Sequence, residues 1–253
     1  MKELLYSRNA VYETLRAHRR QAFRLEIAEG VQERGRILEI LDLAQKRKIP
    51  VEKANRVQMD KVHREHQGVI LEAAEYPYSN LADILALGKK RNEPPFVLLL
   101  DALNNPQNFG TLLRTAEAVG VHGVVLPLAR SVDVTPAVVN ASSGASEHLL
   151  VAQMNLSQAI DALREADAWT IGLDESPEAN PPAEVRLDGG LAIVVGSEGS
   201  GIRPLVKSKC DFLMRLPMQG QVESLNAAVA GSIALYLAAL SRQKQKSPDQ
   251  PGH

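Results

Sequence analysis

From residue 96 onward the chain repeats one pattern. A short, continuously apolar run is followed by a polar loop, and then by a stretch with helical spacing. The runs are 96–100 (FVLLL), 123–126 (GVVL), 149–151 (LLV), 169–173 (WTIGL), 191–195 (LAIVV) and 212–214 (FLM). A strand that is apolar at every position has no face to offer to water. Alternating with helices, such strands predict a parallel sheet covered on both sides, an α/β fold. Helices are expected over 109–119, 156–166 and 225–240, where Ala, Val, Ile and Leu dominate. Ligands of such sheets bind beyond the carboxyl ends of the strands, so the loops there are the first place to look for chemistry.

The first 75 residues read differently. Helical spacing over 9–18, an alternating strand at 23–27 and an amphipathic helix over 34–46 come first. A short strand from 49, a helical turn over 59–65 and a strand at 68–71 follow, together implying a small α/β domain. Residues 76–95 carry turn formers, a short apolar helix over 81–87 and the Gly88-Lys89-Lys90-Arg91 run, and are expected to be a linker. Residues 96–242 are then expected to form a second, larger domain, and the polar tail 243–253, with Pro248 and Pro251, is expected to be disordered.

Composition narrows the function classes. A hydrophobic content of 45% supports a real core, whereas 4% aromatics argues against extensive base stacking on aromatic platforms. The single cysteine, Cys210, excludes an intramolecular disulfide and a cysteine-based zinc site. Met1 leads straight into charged residues, and the longest apolar stretch, 227–240, is broken by Gly231 and Ser232 and is too short to span a bilayer. A soluble, cytoplasmic protein without a membrane partner is expected. Net charge is -1, yet residues 1–75 carry fifteen Lys/Arg against twelve Asp/Glu. Arg8, Arg16, Arg19, Arg20 and the run Lys46-Arg47-Lys48 can meet phosphates, or can simply be solvated surface.

Three loops at strand ends hold the candidate chemistry. The first, 101–110, leads into a helix carrying Arg114. Asn108 there is either a helix cap or a ligand group, and Arg114, among Leu112, Leu113 and Ala116, calls for an anionic partner or a structural ion pair. The second, Gly196-Ser-Glu-Gly-Ser-Gly201, allows close backbone approach. Its spacing is not that of a dinucleotide fingerprint and it lacks the lysine of a phosphate loop, so with Glu198 it suits a cationic or hydroxyl-rich ligand, or is a plain turn. The third runs from Leu216 through Glu223, Ser224 and Asn226 into the apolar helix. Polar groups buried at that entry need partners, and Ser224 as a helix cap is the simplest alternative. His63 and His66 have no further metal ligand beside them, and Ser142-Ser143-Gly144 has no His/Asp pair nearby.

The three loops together resemble the SpoU, or TrmH, family of RNA ribose 2′-O-methyltransferases within the SPOUT superfamily. Asn105-Pro-Gln-Asn-Phe-Gly110 through Arg114-Thr-Ala116 matches its first motif, 195–202 (VGSEGSGI) its second, and Leu216-Pro-Met with Gly220 and Glu223-Ser-Leu-Asn226 its third. Arg8-Asn-Ala-Val11 and His66-Gln-Gly-Val69 resemble the family's L30e-like substrate domain. The departures are Asn105 for Asp, Ser7 for Gly and Leu216 for Ile. The resemblance implies a C-terminal parallel-sheet SPOUT domain with a deep trefoil knot, and a small N-terminal L30e-like α/β domain that binds the RNA substrate. It also implies S-adenosylmethionine as methyl donor, held by the backbone at Gly196, Leu216 and Leu225, with no metal. Arg114 would be the central catalytic residue, Asn108 and Glu198 would orient it or the ribose, and Ser224 and Asn226 would fix the loop and the nucleotide. A homodimer is implied, with a guanosine of 23S rRNA as the expected target and a tRNA as the alternative. A non-catalytic RNA-binding protein of the same fold is the competing class, and a nicotinamide oxidoreductase is weakened by the glycine spacing.

Overall fold

A computed structural model describes residues 2–129, 132–222 and 224–246. The chain forms two compact units, residues 1–77 with 133–148, and residues 78–132 with 149–253. In chain order the first unit contributes β1 (Lys2–Tyr6), α1 (Arg8–Ala17), β2 (Ala22–Ala28), α2 (Arg36–Lys46), β3 (Val51–Ala54), α3 (Arg56–Val62) and β4 (Val69–Ala74). The second begins with α4 (Leu81–Lys90), β5 (Phe96–Leu100), α5 (Pro106–Ala118) and β6 (Gly123–Leu126). The chain then re-enters the first unit for α6 (Pro136–Ala141) and a 3-10 turn (Ala145–His148). Back in the second unit follow β7 (Leu150–Gln153), α7 (Leu156–Glu165), β8 (Ala168–Leu173), β9 (Gly190–Val195), α8 (Pro204–Lys207), β10 (Phe212–Met214) and α9 (Ala227–Lys246).

The first unit is built on a mixed sheet of order β1-β4-β2-β3, in which β4 runs against β1 and β2 while β3 runs parallel to β2. Leu5, Leu25, Ile27 and Leu71 from the sheet and Leu15, Ile37 and Ile40 from the helices are all fully buried. Assigning all of 96–242 to one domain misses residues 133–148. They group with the first unit through Arg20, whose buried guanidinium donates to both carboxylate oxygens of Glu147, at 3.0 and 2.8 Å, and also to Glu3 at 2.5 Å. The Tyr76 hydroxyl donates to the Ser146 carbonyl at 3.0 Å, and burial pushes its pKa up to about 12. Arg20 is therefore a core residue, not a phosphate contact.

The second unit is a six-stranded parallel sheet, order β10-β8-β9-β5-β6-β7. β5, β6 and β9 are buried at every position, as their uniform apolarity requires. The helix expected at 81–87 forms and runs on to Lys90, and it makes residues 76–95 part of the second unit's core as well as a connection. An Asn80/Asp83 capping box starts α4, which buries Leu81 and Ile84 in the core of this unit. At the other end, α9 continues through 243–246, where disorder was expected, whereas 247–253 lie outside the described residues. Gly231 lets α9 lie close against the sheet and α5: a Cβ there would sit 2.6 Å from a Leu112 methyl and 2.9 Å from a Val195 methyl. Arg242 then closes the helix onto the sheet, donating to the carbonyls of Pro94, Pro95 and Gly189. Among the described residues no helix is long and apolar enough to cross a membrane.

Candidate active site

The loops that leave β5, β9 and β10 at their carboxyl ends all lie in the second unit. In the first loop, Asn105 caps α5. Its side chain accepts from the backbone N–H of Gln107 at 2.8 Å and of Asn108 at 3.4 Å, and Pro106 occupies the first helical position. The capping role considered for Asn108 is thus filled three residues earlier, and the Asn108 side chain is available for other work. Its Nδ2 donates to Glu198 at 2.5 Å, and its Oδ1 accepts from Asn226 at 3.2 Å.

Asn226 in turn caps α9, its Oδ1 accepting from the backbone of Ala228 at 2.9 Å and Val229 at 3.3 Å. This is the role that Ser224 was the simplest candidate to fill. One relay, Glu198–Asn108–Asn226, therefore joins all three loops. Contrary to the expected burial, Ser224 and Asn226 are exposed in the single chain, and Glu223 lies outside the described residues. Arg114 lies nearly two turns farther along α5 and is also exposed. Leu112, Leu113 and Ala116 take the core-facing side of that helix, which leaves position 114 pointing outward.

Beside the relay is a cleft of about 770 Å³ whose lining includes Gly196, Leu216 and Leu225 together with Glu198 and Ser224. The glycine loop is closed on itself: the N–H of Ser197 donates to the Gly201 carbonyl, and that of Gly201 to the Ser197 carbonyl, both at 3.1 Å. A Cβ on Gly196 would sit 2.2 Å from the Gly201 carbonyl carbon, so this closure requires glycine there.

Two features escape a reading of motifs. Asp101, fully buried, accepts from the Arg203 backbone at 2.8 Å and from its Nε at 2.6 Å, which ties the first loop to the end of the second. The carboxylate directly after the apolar run FVLLL is the signal that could have disclosed it. The loop after β8 contributes Asp174, Glu175 and Ser176 to the cleft. Burial of Asp174 raises its pKa, but bonds from Ser176 and Lys207 outweigh this and hold it below the ordinary carboxylate value.

Residues 95–236, which hold all three loops, match the model of the SpoU rRNA methylase family. The chain belongs to that family. Residues 4–79 match a second model, described as RNA 2′-O ribose methyltransferase substrate binding. Among relatives, YacO of Bacillus subtilis, named with the TrmH family of tRNA/rRNA methyltransferases, is 41% identical over 238 residues, 92% of this chain and 94% of YacO. A Staphylococcus aureus protein named with the same family is 42% identical over 212 residues, 83% of this chain and 85% of its own. Among solved structures, the SpoU methyltransferase AviRb from Streptomyces viridochromogenes, in complex with AdoMet, shares the fold. Its TM-score is 0.78 at 21% identity, over 97% of this chain and 92% of that one.

Proposed function

We propose that this SpoU-family enzyme methylates a ribose 2′-hydroxyl in structured RNA, with a guanosine of 23S rRNA as the substrate. The observation that carries this reading is the relay Glu198–Asn108–Asn226 at the edge of the cleft lined by Gly196, Leu216 and Leu225. The residues present fit S-adenosylmethionine. Leucines and glycine backbone suit the adenosine part, and Asp174, Glu175 and Glu198 suit the positive charge of a sulfonium and an ammonium. S-adenosylmethionine is the methyl donor and supplies a methyl group already activated by its sulfonium.

The chain's own residues then have to place the acceptor oxygen in line and manage its proton. Arg114 holds the substrate phosphate and stabilises the developing alkoxide, since a guanidinium stays protonated and is a poor base. Asn108, fixed between a carboxylate and an amide, orients the ribose, and Ser224 and Asn226 hold the third loop against the nucleotide. We assign RNA binding to the first unit and chemistry to the second. We also assign an L30e-like fold to the first unit and a deep trefoil knot to the second, where the segments after β9 and β10 surround the cleft. A second copy of the chain completes the enzyme, in the cytoplasm. The exposed stripe Val229, Ile233, Tyr236 and Leu240 on α9, around a hollow of about 270 Å³, supports such a partner.

The test is methyl transfer from labelled S-adenosylmethionine to unmodified total RNA, followed by mapping of 2′-O-methyl sites. One site in 23S rRNA is expected. A site in tRNA would overturn the target and keep the chemistry, and absence of both incorporation and donor binding would overturn the enzyme. Arg114→Ala should lower the rate at least a hundredfold with folding intact, in the range of lost oxyanion stabilisers. Near-normal methylation by that variant would remove Arg114 from the mechanism.

A further inference from the structure

Within the first unit the cations fall into two groups. Lys2 pairs with Glu72, Arg16 with Glu13, Arg24 with Glu26, Glu52 and Glu72, and Lys46 with Asp42. Arg20 is buried against Glu3 and Glu147. By contrast, Arg8, Arg34, Arg56, Lys61 and Arg64 have no carboxylate partner among the described residues; Arg47 and Lys48, which lead into β3 at the other end of the sheet, have none either. The strand directions put the first five together. β1, β2 and β3 run the same way and β4 runs against them, so the segments leaving the first three and the segment entering β4 share one end of the sheet. Arg8 follows β1, Arg34 follows β2, and Arg56, Lys61 and Arg64 lie between β3 and β4.

Several carboxylates at this end are already occupied. Glu33 pairs with Lys53 at 2.6 Å, Asp60 accepts from His66 at 3.0 Å, and Glu65 accepts from Asn140 at 3.1 Å, while Glu29 stays exposed.

The same end carries a ring platform. His63 stacks on the buried Tyr6 with centroids 3.7 Å apart and planes 13° from parallel. The backbone N–H of Glu65 donates to His63 Nδ1 at 3.1 Å, so a neutral ring carries its proton on Nε2. One ring face meets Tyr6, and the side chain remains half-exposed. Arg8 is fixed beside it, its N–H donating to the Gln67 side chain at 3.1 Å and its Nε to the Gln67 carbonyl at 3.0 Å. That anchoring uses left-handed backbone at Ser7 (φ 75), Gln67 (φ 52) and Gly68 (φ 87), two of them non-glycine. Strained backbone held in place by surrounding structure concentrates at binding sites. Val57 and Val62 of α3 are exposed in the same region.

We propose that this end of the sheet is where the first unit docks its RNA. His63 stacks one unpaired base on the ring face turned away from Tyr6, Arg8 lies beside that base, and Arg34, Arg56, Lys61 and Arg64 take the flanking phosphates. The inference rests on the assignment of an RNA substrate and adds where and how this unit reads it. Low aromatic content rules out a row of stacking platforms, and a single His on Tyr needs none. Phosphate contacts position an RNA, and a splayed base held by stacking selects a loop over a helix.

The test is equilibrium binding of unmodified 23S rRNA, transcribed in vitro, to the full chain over a series of salt concentrations, beside methyl-transfer kinetics. Arg34→Gln and Arg64→Gln, both at exposed positions, should each weaken binding and reduce the slope of log affinity against log salt by roughly one. His63→Ala should weaken binding on the order of tenfold with the slope unchanged, and His63→Phe should restore most of it. Each variant should raise KM and leave kcat in place. Lys48→Gln, at the opposite end of the sheet, should alter neither binding nor slope. Unaltered binding by the Arg64 and His63 variants, or an equal loss for Lys48→Gln, would overturn the docking site while leaving the methyltransferase assignment intact. RNA binding that obeys these rules without methyl transfer would overturn the catalytic assignment and leave the docking site standing.

Discussion

The two units each contain a polar network that spans distant parts of the chain, and they place it in opposite surroundings. In the first unit Arg20, Glu147 and Tyr76 are buried, and their bonds tie residues 133–148 to Arg20, 127 positions from Glu147, and to Tyr76, 70 positions from Ser146. In the second, Glu198, Asn108 and Asn226 join loops up to 118 positions apart, yet Glu198 and Asn226 remain exposed and Asn108 is only half-buried. A buried charge pair contributes through the cost of separating it, because a lone partner cannot regain water. An exposed relay contributes little to folding, since water replaces each bond at small net cost. Under the proposed function, its task is to orient groups toward a substrate that arrives later. Burial thus separates a network that must hold the fold from one that is free to serve the proposed chemistry, even where the residue types look alike.

The largest effect expected from this contrast is at Arg20. Arg20→Met leaves Glu147 buried without its guanidinium, and the loss should be about 3–5 kcal/mol, measured by urea unfolding of the full chain. Adding Glu147→Leu should recover part of that loss, because the second change removes the stranded charge. A double variant as unstable as the single one would mean that Arg20 acts by packing alone.

Asn108→Ala should behave in the opposite way. Stability should change by no more than about 0.5 kcal/mol, as for other surface substitutions. Methyl transfer should nevertheless fall on the order of a hundredfold, because Glu198 and Asn226 lose the group that joins them. If Asn108→Ala lowered stability and activity together, the relay would be structural and the contrast would fail.

How far these networks are legible in the sequence follows from the range of the interactions. The strands β5 to β10 are readable because each announces itself locally, as an apolar run bounded by turn formers. β1, Lys-Glu-Leu-Leu-Tyr, has no such pattern and forms because β4 offers Leu71 opposite Leu5. Asn108, Glu198 and Asn226 could be picked out one by one, but that they bond to each other is a property of the folded loops. The displacement of the first unit's boundary has the same origin, since nothing near Glu147 in the sequence points to Arg20. Arg114 shows a different kind of miss. Its apolar neighbours suggested burial, whereas helical geometry gives those neighbours the core face and turns the arginine outward.

The smallest expected effect sharpens the comparison at the edge of the RNA-docking surface. Ser7 is buried between β1 and α1 at φ 75 and ψ 149, with no capping bond from its side chain. That conformation belongs to glycine, and a side chain there costs on the order of 1–3 kcal/mol. Ser7→Gly should therefore stabilise the first unit, by about 1 kcal/mol once the greater freedom of glycine in the unfolded chain is set against the relieved strain. The readout is the urea midpoint at unchanged slope. RNA affinity should stay the same, because Arg8 keeps both bonds to Gln67. A gain in stability accompanied by weaker binding would show that the serine side chain itself takes part in docking, so that strain and recognition at this corner share one residue.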